Sequence, residues 1–215
     1  MSPEMLDFLI AGGPAIWAIA ALSVATLALI LWKVWDMLRA GLWSGGRGTE
    51  AAVRLWQQGQ TRAAREGLSR RRSLRARLAR RAMEVQAAQH LPDELAREEV
   101  DRTARALLKR ASAGLRGLEL AATIGPLLGL LGTVMGMIAA FQALQAAGAR
   151  ADPAQLAGGI WEALLTTAAG MAVAIPAQVA LTWFETAIDG LRHDMEDIAT
   201  RIFVPLPDTS PEAGE

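Results

Sequence analysis

Three long apolar runs flank and follow a charged middle. The first, Phe8 to Trp32, holds 25 residues without a charge. The second, Leu120 to Ala149, carries none, and the third, Pro153 to Phe184, carries one, Glu162. A helix rises about 1.5 Å per residue, so each run can cross a hydrocarbon core of about 30 Å. Three membrane-spanning helices are predicted.

Between the first two runs the pattern is that of helices with polar faces. Gly41 to Gly48 predicts a break. A helix over Glu50–Leu68 follows, with Gly59 as its candidate interruption, and then a strongly basic helix over Arg70–Gln89. Leu91-Pro92-Asp93 reads as a stop and restart, since Pro and Asp suit a helix N-terminus. From there Val100, Ala104, Leu107, Ala111, Leu115 and Leu118 recur at spacings of four and three, one apolar helical stripe. The stripe predicts one continuous helix of about 50 residues, roughly 75 Å long, reaching from the cytoplasm into the second span. Beyond the third run, Ile188, Leu191, Met195, Ile198 and Ile202 keep helical spacing until Pro205 and Pro207. The third helix is therefore also expected to extend inward, and the acidic tail 208–215 to be disordered.

Composition sharpens this picture. The chain is 52% hydrophobic and 20% charged, which fits only if the two are segregated. Nineteen of the 22 Lys and Arg residues lie between Lys33 and Glu119, against ten of the 22 acidic residues. The zero net charge hides that excess of nine. The positive-inside rule then puts 33–119 and the C-terminal tail in the cytoplasm, and the N-terminus and the 142–155 connection outside. The expected organisation is 1–36, periplasmic N-terminus and first span; 37–117, cytoplasmic helical region; 118–149, second span; 150–187, periplasmic turn and third span; 188–215, cytoplasmic extension and tail. Ser2, Pro3, Glu4 and Asp7 precede the first run where a signal peptide would be basic, so a retained span is expected. There is no cysteine, and His90 and His193 stand far apart, so neither a metal nor another cofactor is expected. Clusters such as Arg70-Arg71-Arg72 and Arg80-Arg81 suit anionic lipid headgroups, and nucleic acid is not expected as a partner. No phosphate loop or nucleophile set points to an enzyme.

Candidate chemistry lies in the second and third runs. Gly125, Gly129, Gly132 and Gly136 draw a side-chain-free stripe, the kind of surface that lets helices approach closely in lipid. That stripe and the long apolar helices exceed what three helices of one subunit would satisfy, which predicts a ring of identical subunits. Pro126 and Pro176 each free a backbone carbonyl one turn earlier. Glu162 is the single deep carboxylate, a group costing roughly 2.5–3.5 kcal/mol at mid-membrane on insertion scales. It serves either as a structural carboxyl bonded to another helix or as one that takes up and releases protons, and the residues alone leave both open. Thr166 lies about 40° from Glu162 around the helix and Thr167 about 140°. Thr133 either bonds its own helix backbone or faces a polar pathway.

Two of these stretches, GPLLGLLGTVMGMIAAF at 125–141 and EALLTTAAGMAVAIPA at 162–177, resemble the MotA/TolQ/ExbB proton-channel family, most of all its ExbB and TolQ branch. AGGPAIWAIAALSV at 11–24 resembles the first span of that branch. Three spans argue against the flagellar branch, which typically has four. The resemblance implies an all-α inner-membrane protein forming a homo-oligomer, commonly a pentamer. Its second and third helices would surround the helices of a smaller ExbD/TolR-like partner. Proton flow would drive work delivered through a TonB-like protein to outer-membrane transport, or through a TolA-like one to envelope maintenance. A non-conducting membrane scaffold is the rival outside the family's activity. By resemblance, Glu162 occupies the pore carboxylate position, and Thr133 and Thr167 occupy polar pore positions. Thr166 shares more of the Glu162 face, so which hydroxyl matters stays open.

Overall fold

The computed structural model describes residues 13–42, 46–88, 92–148 and 152–204. Among these the regular elements are all α-helices: α1 (Gly13–Arg39), α2 (Gly46–Gln57), α3 (Thr61–Ser69), α4 (Leu74–Ala87), α5 (Asp93–Ala111), α6 (Leu115–Ala147) and α7 (Pro153–Phe203). Three helices are long and apolar enough to cross a membrane: α1, α6, and α7 over Leu156–Phe203. The start of the first apolar run, the centre of the Gly41–Gly48 break, Leu91, residues 149–151 of the 142–155 connection, Pro205, Pro207 and the 208–215 tail lie outside the described residues.

The chain forms two compact units. One comprises Met1–Lys33 with Gly114–Phe184, and the other Val34–Ala113 with Glu185–Glu215. Two of the boundaries fall within the residue ranges of α1 and α7, and the third, Ala113/Gly114, falls between α5 and α6.

In the apolar unit, α6 and the first part of α7 pack through small residues. Leucines and tryptophans such as Leu127, Leu130, Trp161 and Leu164 remain exposed. In the second unit, Val53, Ala64, Leu68, Leu78 and Met83 are buried together with the inner stripe of α7, Ile188, Leu191, Met195, Ile198 and Ile202. The third helix thus continues past its apolar run, 51 residues long in all, and its apolar spacing is what buries that continuation. Polar contacts tie α7 to the elements around it within this unit. Arg75 pairs with Asp194 at 2.6 Å, Arg201 with Glu50 at 2.8 Å, and the Trp56 indole N–H donates to the Ile202 carbonyl.

The continuous helix from Asp93 into the second span is overturned. α5 stops at Ala111, and Gly114 adopts a left-handed conformation (φ 85°) before α6 begins. The Ser112 N–H bonds the Leu108 and Arg110 carbonyls, closing the last turn of α5. A residue with a Cβ is strained at that φ, so Gly114 is what permits the turn. Gly59, at φ 79°, interrupts Glu50–Leu68 as expected and divides it into α2 and α3, but α2 begins at Gly46, inside the expected break. The basic helix starts only at Leu74, because Ser73 caps it by accepting from the Ala76 N–H, which leaves Arg70–Arg72 outside. Asp93 opens α5 as expected, with Asp93 and Glu94 in its first turn, where carboxylates suit the helix dipole.

Candidate functional site

The site is built on the seam between α6 and α7 within the apolar unit. The four stripe glycines of α6, Gly125, Gly129, Gly132 and Gly136, all face α7 there. A Cβ added at Gly125 would lie 2.9 Å from the Gly170 carbonyl oxygen, and one at Gly129 would lie 2.9 Å from the Thr167 Cα. At Gly132 it would meet the Thr166 hydroxyl at 2.6 Å, and at Gly136 the Ala163 Cβ at 3.0 Å. The helices approach nearly backbone to backbone, as small residues allow in lipid. The stripe is thus covered by α7 of the same chain. It does not by itself require a second subunit, which corrects the argument drawn from the glycines. Pro126 and Pro176 lie inside unbroken α6 and α7, where each removes the donor that the carbonyl four residues earlier would otherwise receive.

Three hydroxyls gather on one carbonyl in this seam. Thr133 Oγ1 is 2.9 Å from the Gly129 carbonyl oxygen, Thr167 Oγ1 is 3.1 Å from it, and Thr166 Oγ1 is 3.3 Å from it. The Thr133 and Thr167 hydroxyls also contact each other. Thr166 donates more closely within its own helix, to the Ala163 carbonyl at 2.7 Å, and is only 2% exposed. The three threonines are therefore brought together. Helical angles had separated Thr166 from Thr167, but α6 inserts its Gly129 carbonyl between them.

Glu162 is placed differently. Its side chain is exposed and lines a cleft of about 500 Å³ bounded by Pro14 and Ala15 of α1, Gly132 and Gly136 of α6, and Thr166 on its own helix. Thr133 opens on another hollow, of about 470 Å³, with Val134, Met137, Phe141, Gln142 and Gln145. Glu162 and Thr133 thus line different clefts, and Thr166 lines the one that holds Glu162. Among the described residues no group of acidic, histidine or cysteine side chains is arranged to hold a metal.

Residues that the sequence reading passed over complete the seam. Ala163, Gly170 and Ala174 of α7 form a small-residue stripe facing the α6 glycines, and its spacing of seven and four was the available signal. The Gly129 carbonyl had no such signal, because its role follows from the side chains of a distant segment.

A biopolymer transport protein exbB1 of Vibrio cholerae is 41% identical over 88 residues, covering 39% of each chain. A biopolymer transport protein ExbB of Xanthomonas campestris pv. campestris is 39% identical over 117 residues, 49% of this chain and 46% of that protein. A putative ExbB-like protein of Synechocystis is 46% identical over 88 residues, 40% of this chain and 35% of its own. The chain thus spans less than half the length of these curated relatives. Residues 58–197, well over half of the chain and including Thr133, Glu162 and Thr167, match the family model as well, and the chain belongs to the MotA/TolQ/ExbB proton channel family.

Proposed function

We propose that this integral membrane protein is an ExbB-type subunit of a proton-driven motor in the bacterial inner membrane. With an ExbD-like single-span partner it transduces proton motive force to a TonB-like protein and so to outer-membrane transport. The names of the relatives, biopolymer transport proteins of ExbB type, support this role. The observation that carries it is Glu162, the one charged residue in the third apolar run, opening on a cleft rather than being sealed between helices. An intramembrane carboxyl is costly and suits proton transfer. Thr133, Thr166 and Thr167 can orient water or a carboxyl but do not titrate. One deep carboxyl per subunit is too few for a controlled relay, so the partner supplies a second acidic group at membrane depth.

Proton flux into reconstituted vesicles tests this. The protein alone is expected to conduct poorly, and adding the partner to raise flux. Glu162→Gln should assemble normally while abolishing partner-dependent flux, and Glu162→Asp should retain part of it. Thr133→Val and Thr167→Val should lower flux with little effect on folding. Full flux from Glu162→Gln would leave the residue structural and favour a non-conducting scaffold.

A further inference from the structure

We infer that Thr166 is the positioning residue of Glu162, accepting a hydrogen bond from its protonated carboxyl across the cleft they share. The inference rests on the proton-carrying reading of Glu162 for its consequence to flux, while the hydrogen bond itself can be read without flux.

The argument is one of counting donors and acceptors. Thr166 lies one turn after Glu162 on the same face of α7, and both line the same cleft. Its hydroxyl is buried, and it carries one hydrogen and two lone pairs. Two carbonyl oxygens compete for that hydrogen, Ala163 at 2.7 Å and Gly129 at 3.3 Å. What remains to face the cleft is a lone pair, so Thr166 presents an acceptor there. A protonated carboxyl carries the matching donor. Among the described residues lining the cleft, Glu162 is the only titratable side chain, and its protonated carboxyl is the side-chain donor suited to that oxygen. Gly132 holds the geometry open, since a Cβ there would come within 2.6 Å of the Thr166 hydroxyl. Thr166 also bonds the Gly129 carbonyl that receives Thr133 and Thr167. It therefore joins the cleft holding the carboxyl to the hydroxyl pair on the other side of the seam. Loading Glu162 with a proton engages the Thr166 oxygen, and unloading it releases that oxygen.

Infrared difference spectroscopy tests this on the full chain in vesicles of phosphatidylethanolamine and phosphatidylglycerol. Subtracting Glu162→Gln from the wild type isolates the C=O stretch of protonated Glu162. In Thr166→Val, which keeps the shape and removes the hydroxyl, the band should move to higher wavenumber, because the carboxyl O–H has lost its acceptor. Thr166→Ser should restore it. Gly132→Ala retains the hydroxyl but intrudes on its place, and should shift the band the same way. Thr133→Val should leave it unmoved. Thr166→Ala serves if Thr166→Val fails to fold. A band unmoved or lowered in the hydroxyl-free variants overturns the inference, as does absence of any protonated Glu162 band across the pH range in which the protein stays folded. Full flux from Glu162→Gln would instead remove the proton-carrier reading and leave the outcome of the band measurement standing.

Discussion

At the scale of single residues, the α6–α7 seam is set by atoms that are missing. A Cβ at Gly170 would run into the Gly125 carbonyl oxygen and lie 3.1 Å from the Gly129 Cα and backbone nitrogen, all main-chain atoms that cannot rotate away. Gly170→Ala must therefore push the two helices apart, at a cost of about 1–3 kcal/mol typical of overpacking. Gly190, on the same helix, has nothing within 4 Å of an added Cβ, so Gly190→Ala should be neutral or stabilise by up to about 1 kcal/mol through helix propensity. Thermal unfolding in detergent should rank Gly170→Ala below the wild type and Gly190→Ala at or above it. Equal melting temperatures for the two variants would contradict the backbone contact. The α6 half of this seam was legible in the sequence, because glycines at spacings of four, three and four stand out in an apolar run. The threonine cluster was not. Angular spacing on one helix separates Thr166 from Thr167, and only a carbonyl from another helix brings their hydroxyls to one point.

At the scale of elements, the helices announced themselves and their joints did not. The inner stripe of α7 was readable because five apolar residues at helical spacing continue past the third run, and all five are buried. The joint between α5 and α6 was missed because the apolar stripe keeps its phase across it. The signal present was local, Lys109 and Arg110 in a last turn followed by Gly114, a helix-ending pattern that a period-based reading overlooks. The pairing of α4 with α5 carries a testable electrostatic element. Arg81 of α4 lies 2.9 Å from Glu99 of α5, and Arg102 lies 2.8 Å from the same carboxylate. Hydrogen bonds from Arg81 and then Arg102 hold the Glu99 carboxyl below its ordinary value of 4.5. A group depressed in the folded state contributes stability that is fully present above its unfolded value and is lost as pH falls through the folded one. Hydrogen exchange across Leu74–Ala87, corrected for intrinsic rates, should therefore accelerate as the pH falls below 4.5. Glu99→Gln should show faster exchange at neutral pH and a weaker pH dependence. An unchanged acid response in that variant would assign the effect to other carboxylates.

At the scale of the whole molecule, two expectations remain to be measured, orientation and assembly. The excess of nine positive charges between Lys33 and Glu119 predicts the orientation, with that stretch in the cytoplasm. A cysteine at Ala147, the end of α6, should react with an impermeant thiol reagent in whole cells, and one at Gln86 should not. The reverse pattern would invert the topology. Assembly needs a different argument from the glycine stripe, which α7 of the same chain already covers. Leu127, Leu130, Phe141, Ile175 and Val179 are exposed, but lipid tails suit them as well as protein does. The polar groups are the ones a lipid surround cannot satisfy. Glu162 is exposed on the single chain, and bare hydrocarbon is a costly surround for a carboxyl. Enclosing it among neighbouring subunits would remove that cost. A ring of identical subunits is the simplest closed arrangement that treats every copy alike, and the family resemblance puts the number at five. Native mass spectrometry in mild detergent should therefore show a multi-subunit species, with five copies expected. Glu162→Gln should preserve it, since an amide still needs polar surroundings. Monomers alone under every detergent condition would remove the ring and leave the Glu162 cleft facing lipid.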